Sequence, residues 1–225
     1  WGVGVLAGVL FAVEFVFLFI ALDHTTVVRV GVIFYSMPVW LAVAPHFVLP
    51  AERMSGLKAV GLLLAFVGVA IAITSRGSAS GGALLGDLCA LGAAMSWAAI
   101  ALLAKASRLR HERPEMQLMW QVTISAPLLL LASAFFGPFI REFQPVLHLS
   151  GVAFQIALVS IGFVFWFWLL SIYPASGVAS FSFLGPVFGV FFGWFLLGEP
   201  VGGAIWVALA CVALGLVLIN RPQRA

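Results

Sequence analysis

The chain has 225 residues, of which 64% are hydrophobic and only 8% charged, with a net charge of +3 and a mean hydropathy of +1.18. A water-soluble domain carries about 25% charged residues, so the composition excludes a soluble fold and makes lipid the solvent. The small positive charge lies mostly between apolar segments, which argues against a nucleic-acid partner.

Eight segments are long and apolar enough to span a bilayer: 2–22, 26–50, 56–75, 82–104, 118–140, 148–171, 175–198 and 202–220. Helices are expected rather than barrel strands, because the runs are continuous and do not alternate. The connections are short and rich in turn residues, as in Asp23-His24-Thr25 and Glu199-Pro200-Val201-Gly202. The longest basic one runs from Lys105 to Arg113. Cys89 and Cys211 fall inside apolar runs and read as buried thiols, and no metal-binding spacing or cofactor motif is present. With the C-terminus in the cytoplasm, Arg53, Lys58, Lys105, Arg108, Arg110, Arg113, Arg221 and Arg224 face inward. Arg29, Arg76 and Arg141 fall on the other side, so the positive-inside rule predicts a multi-pass protein with its C-terminus inside; the expected location is the plasma (inner) membrane.

The first third repeats in the last third. Phe15-Val16-Phe17-Leu18-Phe19 returns as Phe163-Val164-Phe165-Trp166-Phe167, and Pro38 as Pro186, both at an offset of 148. Leu49-Pro50-Ala51-Glu52 returns as Leu196-Leu197-Gly198-Glu199, and Gly68 as Gly215, at an offset of 147. Segments one to three thus match segments six to eight. The expected organisation is residues 1–75 as the last three helices of one five-helix copy and 82–221 as a complete second copy. Since the chain opens at Trp1 inside an apolar run, about 65 residues are expected upstream. An odd number of helices per copy inverts the two copies. The predicted fold is an all-α membrane protein, with eight transmembrane helices here from a ten-helix (5+5) inverted-repeat bundle and a site near the midplane.

These residues resemble the EamA-type permeases of the drug/metabolite transporter superfamily. In the second copy the resemblance rests on Gly86-Asp87, Ser96-Trp97-Ala98, Leu184-Gly185-Pro186-Val187 and Leu196-Leu197-Gly198-Glu199-Pro200. In the first it rests on Ser36-Met37-Pro38-Val39 and Leu49-Pro50-Ala51-Glu52-Arg53, where Ala51 replaces the usual glycine. The resemblance covers essentially the whole chain. It implies ten helices and transport of small metabolites, often amino acids or related compounds.

Glu14 stands out, a carboxyl in mid-segment among apolar neighbours. A charge at membrane depth costs about 2.5–3.5 kcal/mol on insertion scales, so it should face a cavity or a partner. It is a candidate for proton coupling or for binding a substrate amine. The alternative is an ion pair with Arg29, about 6 Å away in depth by helix rise. Arg29 is in turn a candidate for a substrate carboxylate, or snorkels, or pairs with Asp23 or Glu14. Pro38 and Pro186 are expected to kink equivalent helices along the path. Gly185, Gly189 and Gly193 share a helix face and suit close packing within the molecule more than a homodimer seam. Trp97, Trp120, Gln121 and Trp166 are cavity candidates, because indole and amide groups at depth need partners that a hydrated path supplies. Glu52 and Glu199 close equivalent helices at the membrane surface, Asp87 caps a helix start, and His46 reads as structural.

No HExxH or GxxxxGK[ST] string occurs, and Asp23 and Asp87 both sit at segment ends, which disfavours an intramembrane protease or other enzyme. The expected function is a secondary permease for a small organic substrate, working in the lipid bilayer without a cofactor, by alternating access and in the export direction. A flippase for lipid-linked or amphipathic molecules and a non-transporting scaffold are the competing readings.

Overall fold

The structure is a computed structural model, and it describes residues 1–37, 39–40, 56–75, 83–137, 143–172 and 184–220. Pro38, His46, Glu52, Arg76 and Arg141 lie outside the described residues, and only the backbone of Trp166 is described.

All described secondary structure is helical: α1 (Gly2–His24), α2 (Val27–Phe34), α3 (Gly56–Thr74), α4 (Ala83–Ala106), a 3₁₀ turn (Arg108–His111), α5 (Pro114–Ser133), α6 (Pro145–Ile172), α7 (Leu184–Leu197) and α8 (Gly203–Asn220). Four of these are long and apolar enough to cross a membrane: α1, α3, Leu84–Ala104 within α4 and Glu115–Ser133 within α5. Local chemistry sets their ends. The Thr26 side chain caps α2 by accepting from the Arg29 N–H at 3.3 Å. Proline occupies the first turn of α5, where a missing N–H costs nothing, and Glu115 favours the positive end of the helix dipole. That signal moves the start of α5 four residues ahead of the expected 118.

The helices pack through glycines. A Cβ on Gly61 of α3 would stand 2.8 Å from the Gly215 carbonyl oxygen of α8, and a Cβ on Gly215 would stand 2.6 Å from that of Gly61. Seven residues further along α3, a Cβ on Gly68 would stand 2.7 Å from the Ala208 carbonyl oxygen. Ascending α3 therefore descends α8, and the two are antiparallel. The α1–α4 pair is also antiparallel, with Phe17 against Gly92 and Thr25 against Gly86. So is α2–α7, with Val28 against Gly193 and Tyr35 against Gly185. By contrast α1 and α5 run parallel, with Gly4 against Trp120 and Gly8 against Ile124. Val28, Ile33, Val190, Val212 and Leu216 anchor the shared core. Large apolar side chains cover the outside, among them Leu63, Leu131, Phe154 and Phe195, as a lipid-facing surface requires.

These directions gather one set of helix ends into a single face of the bundle. The C-terminal ends of α1, α3 and α7 and the N-terminal ends of α2, α4 and α8 meet there; it is the His24 end. Lys58 near the start of α3 and the basic stretch after α4 mark the opposite end.

Candidate functional site

Glu14 sits on α1 about 15 Å from His24 and about 18 Å from Gly2 by helix rise, near mid-depth. It is buried at 4% exposure, and its Oε2 has no hydrogen-bond partner among the described residues. On the helical wheel it shares a face with Ala7, Ala21 and Thr25 and points at α4. The contacts Phe17–Gly92 and Thr25–Gly86 fix the α1–α4 register, which puts Glu14 level with residues 95–97. Buried Ser96 and half-buried Trp97 are at that level. The structure thus brings two sequence candidates, Glu14 and Trp97, to one depth on facing helices.

Arg29 is elsewhere. Its guanidinium grips Asp87 of α4 with two donors, Nε to Oδ1 at 3.1 Å and Nη2 to Oδ2 at 2.5 Å. Its Nη1 donates to the Ser75 carbonyl oxygen after α3, at 3.0 Å. Thr25 Oγ1 also donates to Asp87 Oδ1, at 3.3 Å. Asp87 is fully buried and the Arg29 side chain is 11% exposed. The expected pairing of Arg29 with Glu14 or Asp23 is therefore corrected. α1 runs on to His24 and Arg29 is the third residue of α2, so Glu14 and Arg29 differ in depth by about 12 Å. Asp23 lies at the surface, 3.9 Å from the His24 ring. Asp87 likewise is not a simple helix cap: it is the fifth residue of α4 and is committed to the arginine.

Glu199 does what its position at a helix end did not announce. Gly198 takes a left-handed φ of +64°, a conformation that favours glycine. The Glu199 N–H donates back to the Gly193 carbonyl at 3.2 Å. The turn aims the carboxylate at α2, where Oε1 accepts from the Val27 N–H and Oε2 from the Val28 N–H, each at 2.8 Å. Glu199 is thus an N-cap supplied from another helix. Gly193 makes room for it: a Cβ there would meet Val28 Cγ2 at 2.6 Å and Glu199 Oε2 at 3.2 Å.

Trp120 lies toward the other end, packed on Gly4 and edge-on to Trp1 with ring centroids 6.1 Å apart. Gln121 beside it is half-buried. Pro186 is buried as the third residue of α7. A cavity of about 400 Å³ opens at the His24 end between α1 and α5. Val16, Phe19, Phe136 and Leu129 line it, with Asp23, His24 and Ser133 as its polar groups. It lies on the side of α1 away from Glu14, and none of the sequence candidates whose side chains are described lines it.

The profile of the EamA-like transporter family matches residues 1–74 and 84–221. The chain belongs to the EamA-like transporter family. Among curated relatives it is similar to the uncharacterized transporter YoaV of Bacillus subtilis (strain 168), 28% identical over 193 residues, covering 84% of this chain and 65% of the relative. It is also 28% identical to the uncharacterized transporter YvbV of the same organism, over 77% of this chain and 57% of the relative. A probable amino-acid metabolite efflux pump of Escherichia coli (strain K12) is 29% identical over 177 residues, covering 74% of this chain and 58% of that protein. The chain thus spans between about half and two thirds of the length of these relatives. A solved crystal structure shares the fold at a TM-score of 0.62 and 22% identity, covering 96% of this chain and 74% of the other. As an EamA-like chain it is a transporter-family membrane protein with several membrane-capable helices.

Proposed function

We propose that the protein is a secondary permease that exports small organic metabolites, such as amino acids or related compounds, by alternating access. It works as ten helices in two inverted five-helix copies, in the plasma membrane, with its C-terminus in the cytoplasm.

The α3–α8 seam supports the inverted repeat. The repeat offset of 147 relates Gly68 to Gly215 and position 61 to position 208. It therefore exchanges the contact Gly61–Gly215 with the contact Gly68–Ala208. A two-fold axis that swaps antiparallel helices lies perpendicular to them, in the membrane plane, as an inverted repeat requires. The two stretches matched by the family profile fall on the two proposed copies. The same symmetry gives α6 a role. Its equivalent, α1, packs on α4 and α5, the first two helices of the second copy. In the ten-helix arrangement α6, whose described side chains are exposed, packs on the first two helices of the first copy.

The observation that carries transport is Glu14: a buried carboxyl near mid-depth whose Oε2 has no partner among the described residues. A group left so in a membrane core is costly unless a substrate or proton completes it. The amino-acid class and the export direction draw on the name of the Escherichia coli relative. The test uses the full-length protein in proteoliposomes, with a labelled amino-acid and metabolite panel, with and without a pH gradient. Flux of at least one panel member, lost or uncoupled from the gradient in Glu14→Gln, is expected. No flux for any member under either condition would overturn the permease in favour of a flippase.

A further inference from the structure

We propose that the first turn of α2 is the latch that closes the His24 end of the transporter, held by the carboxylates of Asp87 and Glu199 and released when the protein opens to that side. The proposal rests on the permease reading and names a gate for it.

Three things converge on one turn of helix. The backbone N–H groups of Val27 and Val28 go to Glu199. The side chain of Arg29, next in sequence, goes to Asp87 and to the Ser75 carbonyl. Thr25, just before the turn, donates to the same aspartate. Four of the helices that end at this face beside α2 are engaged: α1 through Thr25, α3 through Ser75, α4 through Asp87 and α7 through Glu199.

The partition between the copies is the second point. α2 belongs to the first copy, while Asp87 and Glu199 both belong to the second. Rocking one copy against the other so as to open the His24 end must stretch or break these bonds. The grip is polar where the seam beside it is slack. Gly31 and Gly189 face each other across α2 and α7, and a Cβ on Gly189 would meet nothing within 4 Å among the described residues.

The chemistry suits a contact that is made and broken. A buried ion pair adds little net stability over apolar packing of the same volume, so a permanently closed seam gains little from one. An ion pair near a helix end can exchange its partner for water. Asp23 and His24 are already exposed one turn away, so the separated groups would be rehydrated rather than left in lipid. Glu199 adds the complementary charge at the positive end of the α2 dipole, and losing it would loosen the turn that carries Arg29.

Cys89 provides a native reporter. It lies two residues beyond Asp87 on α4, buried in the same core as Val28. The experiment uses the full-length protein in right-side-out membrane vesicles with Cys89 as its sole cysteine, labelled by a membrane-impermeant sulfonated maleimide. Slow labelling is expected for the parent. Glu199→Gln and Asp87→Asn should each speed it by on the order of tenfold as the open population grows. A second parent carrying Cys211 alone, near mid-depth on α8, should label at an unchanged rate in the same variants. Unchanged Cys89 labelling in Glu199→Gln would overturn the latch, even if Asp87→Asn fails to reach the membrane. So would an equal rise at Cys211, which reports general loosening. Labelling needs no substrate, so a working latch without flux would sink the permease reading alone. Flux with unresponsive labelling would sink the latch alone.

Discussion

The α3–α8 seam gives the sharpest quantitative test. Gly61→Ala puts a methyl 2.8 Å from both the Gly215 carbonyl oxygen and Leu218 Cβ, and Gly215→Ala puts one 2.6 Å from the Gly61 oxygen. The obstacles are carbonyl oxygens and a Cβ fixed to packed helices, so they cannot swing aside and the helices must part by roughly 0.5–1 Å, forfeiting a quarter to a half of each affected contact. Overpacking of this kind costs about 1–3 kcal/mol. Alanine's better helix propensity returns up to about 1 kcal/mol. Each single variant should therefore lose roughly 1–2 kcal/mol, a factor of about 5–30 in the folded-to-unfolded ratio. The double variant should cost about 0.5 kcal/mol or more less than the sum, because one separation makes room for both methyls. Gly189→Ala, with nothing within 4 Å among the described residues, should be neutral or stabilised. Equilibrium unfolding in mixed micelles, followed by tryptophan fluorescence, measures all four. Single variants no worse than Gly189→Ala, or strictly additive losses, would refute the close reciprocal approach.

Arg29→Ala should lose roughly 3–5 kcal/mol of stability by stranding the buried Asp87 carboxylate, and Arg29→Lys distinctly less because charge is kept while the fork is lost; micelle unfolding compares them. Gly198→Ala should cost about 1–2 kcal/mol for a left-handed φ in an L-residue and should also speed Cys89 labelling by misplacing Glu199, a pair of effects that simple helix-end fraying would not produce. Asp23→Cys and Glu112→Cys, at opposite ends of the bundle, should react with impermeant maleimide from opposite sides of the membrane, Glu112 from the cytoplasm. Reaction from one side would refute the topology, and reversed sides the positive-inside orientation.

The spans were legible because a continuous apolar run sets both ends of a helix at once. The expected 2–22, 56–75, 82–104 and 202–220 lie within about two residues of α1, α3, α4 and α8. The Glu14 position was legible for the same reason: a carboxyl in mid-run has few places to go. The partner of Arg29 was not read correctly, because nearness in sequence stood in for nearness in space. The better rule follows from alternation. In antiparallel spans the C-terminal ends of odd helices and the N-terminal ends of even ones share a face. Sorting charges by face puts Arg29, Asp87 and Glu199 together without any coordinates. What no sorting supplies is that Glu199 caps α2 across the seam, since its acceptors meet two backbone N–H groups and those leave no mark in the sequence. Face sorting also explains why the polar grip falls at this end. The positive-inside pattern leaves the His24 face poor in lysine and arginine, so a carboxylate there has few mobile cations to satisfy it. Helix N-termini and a single fixed guanidinium become its natural partners, and α2 offers both within its first three residues.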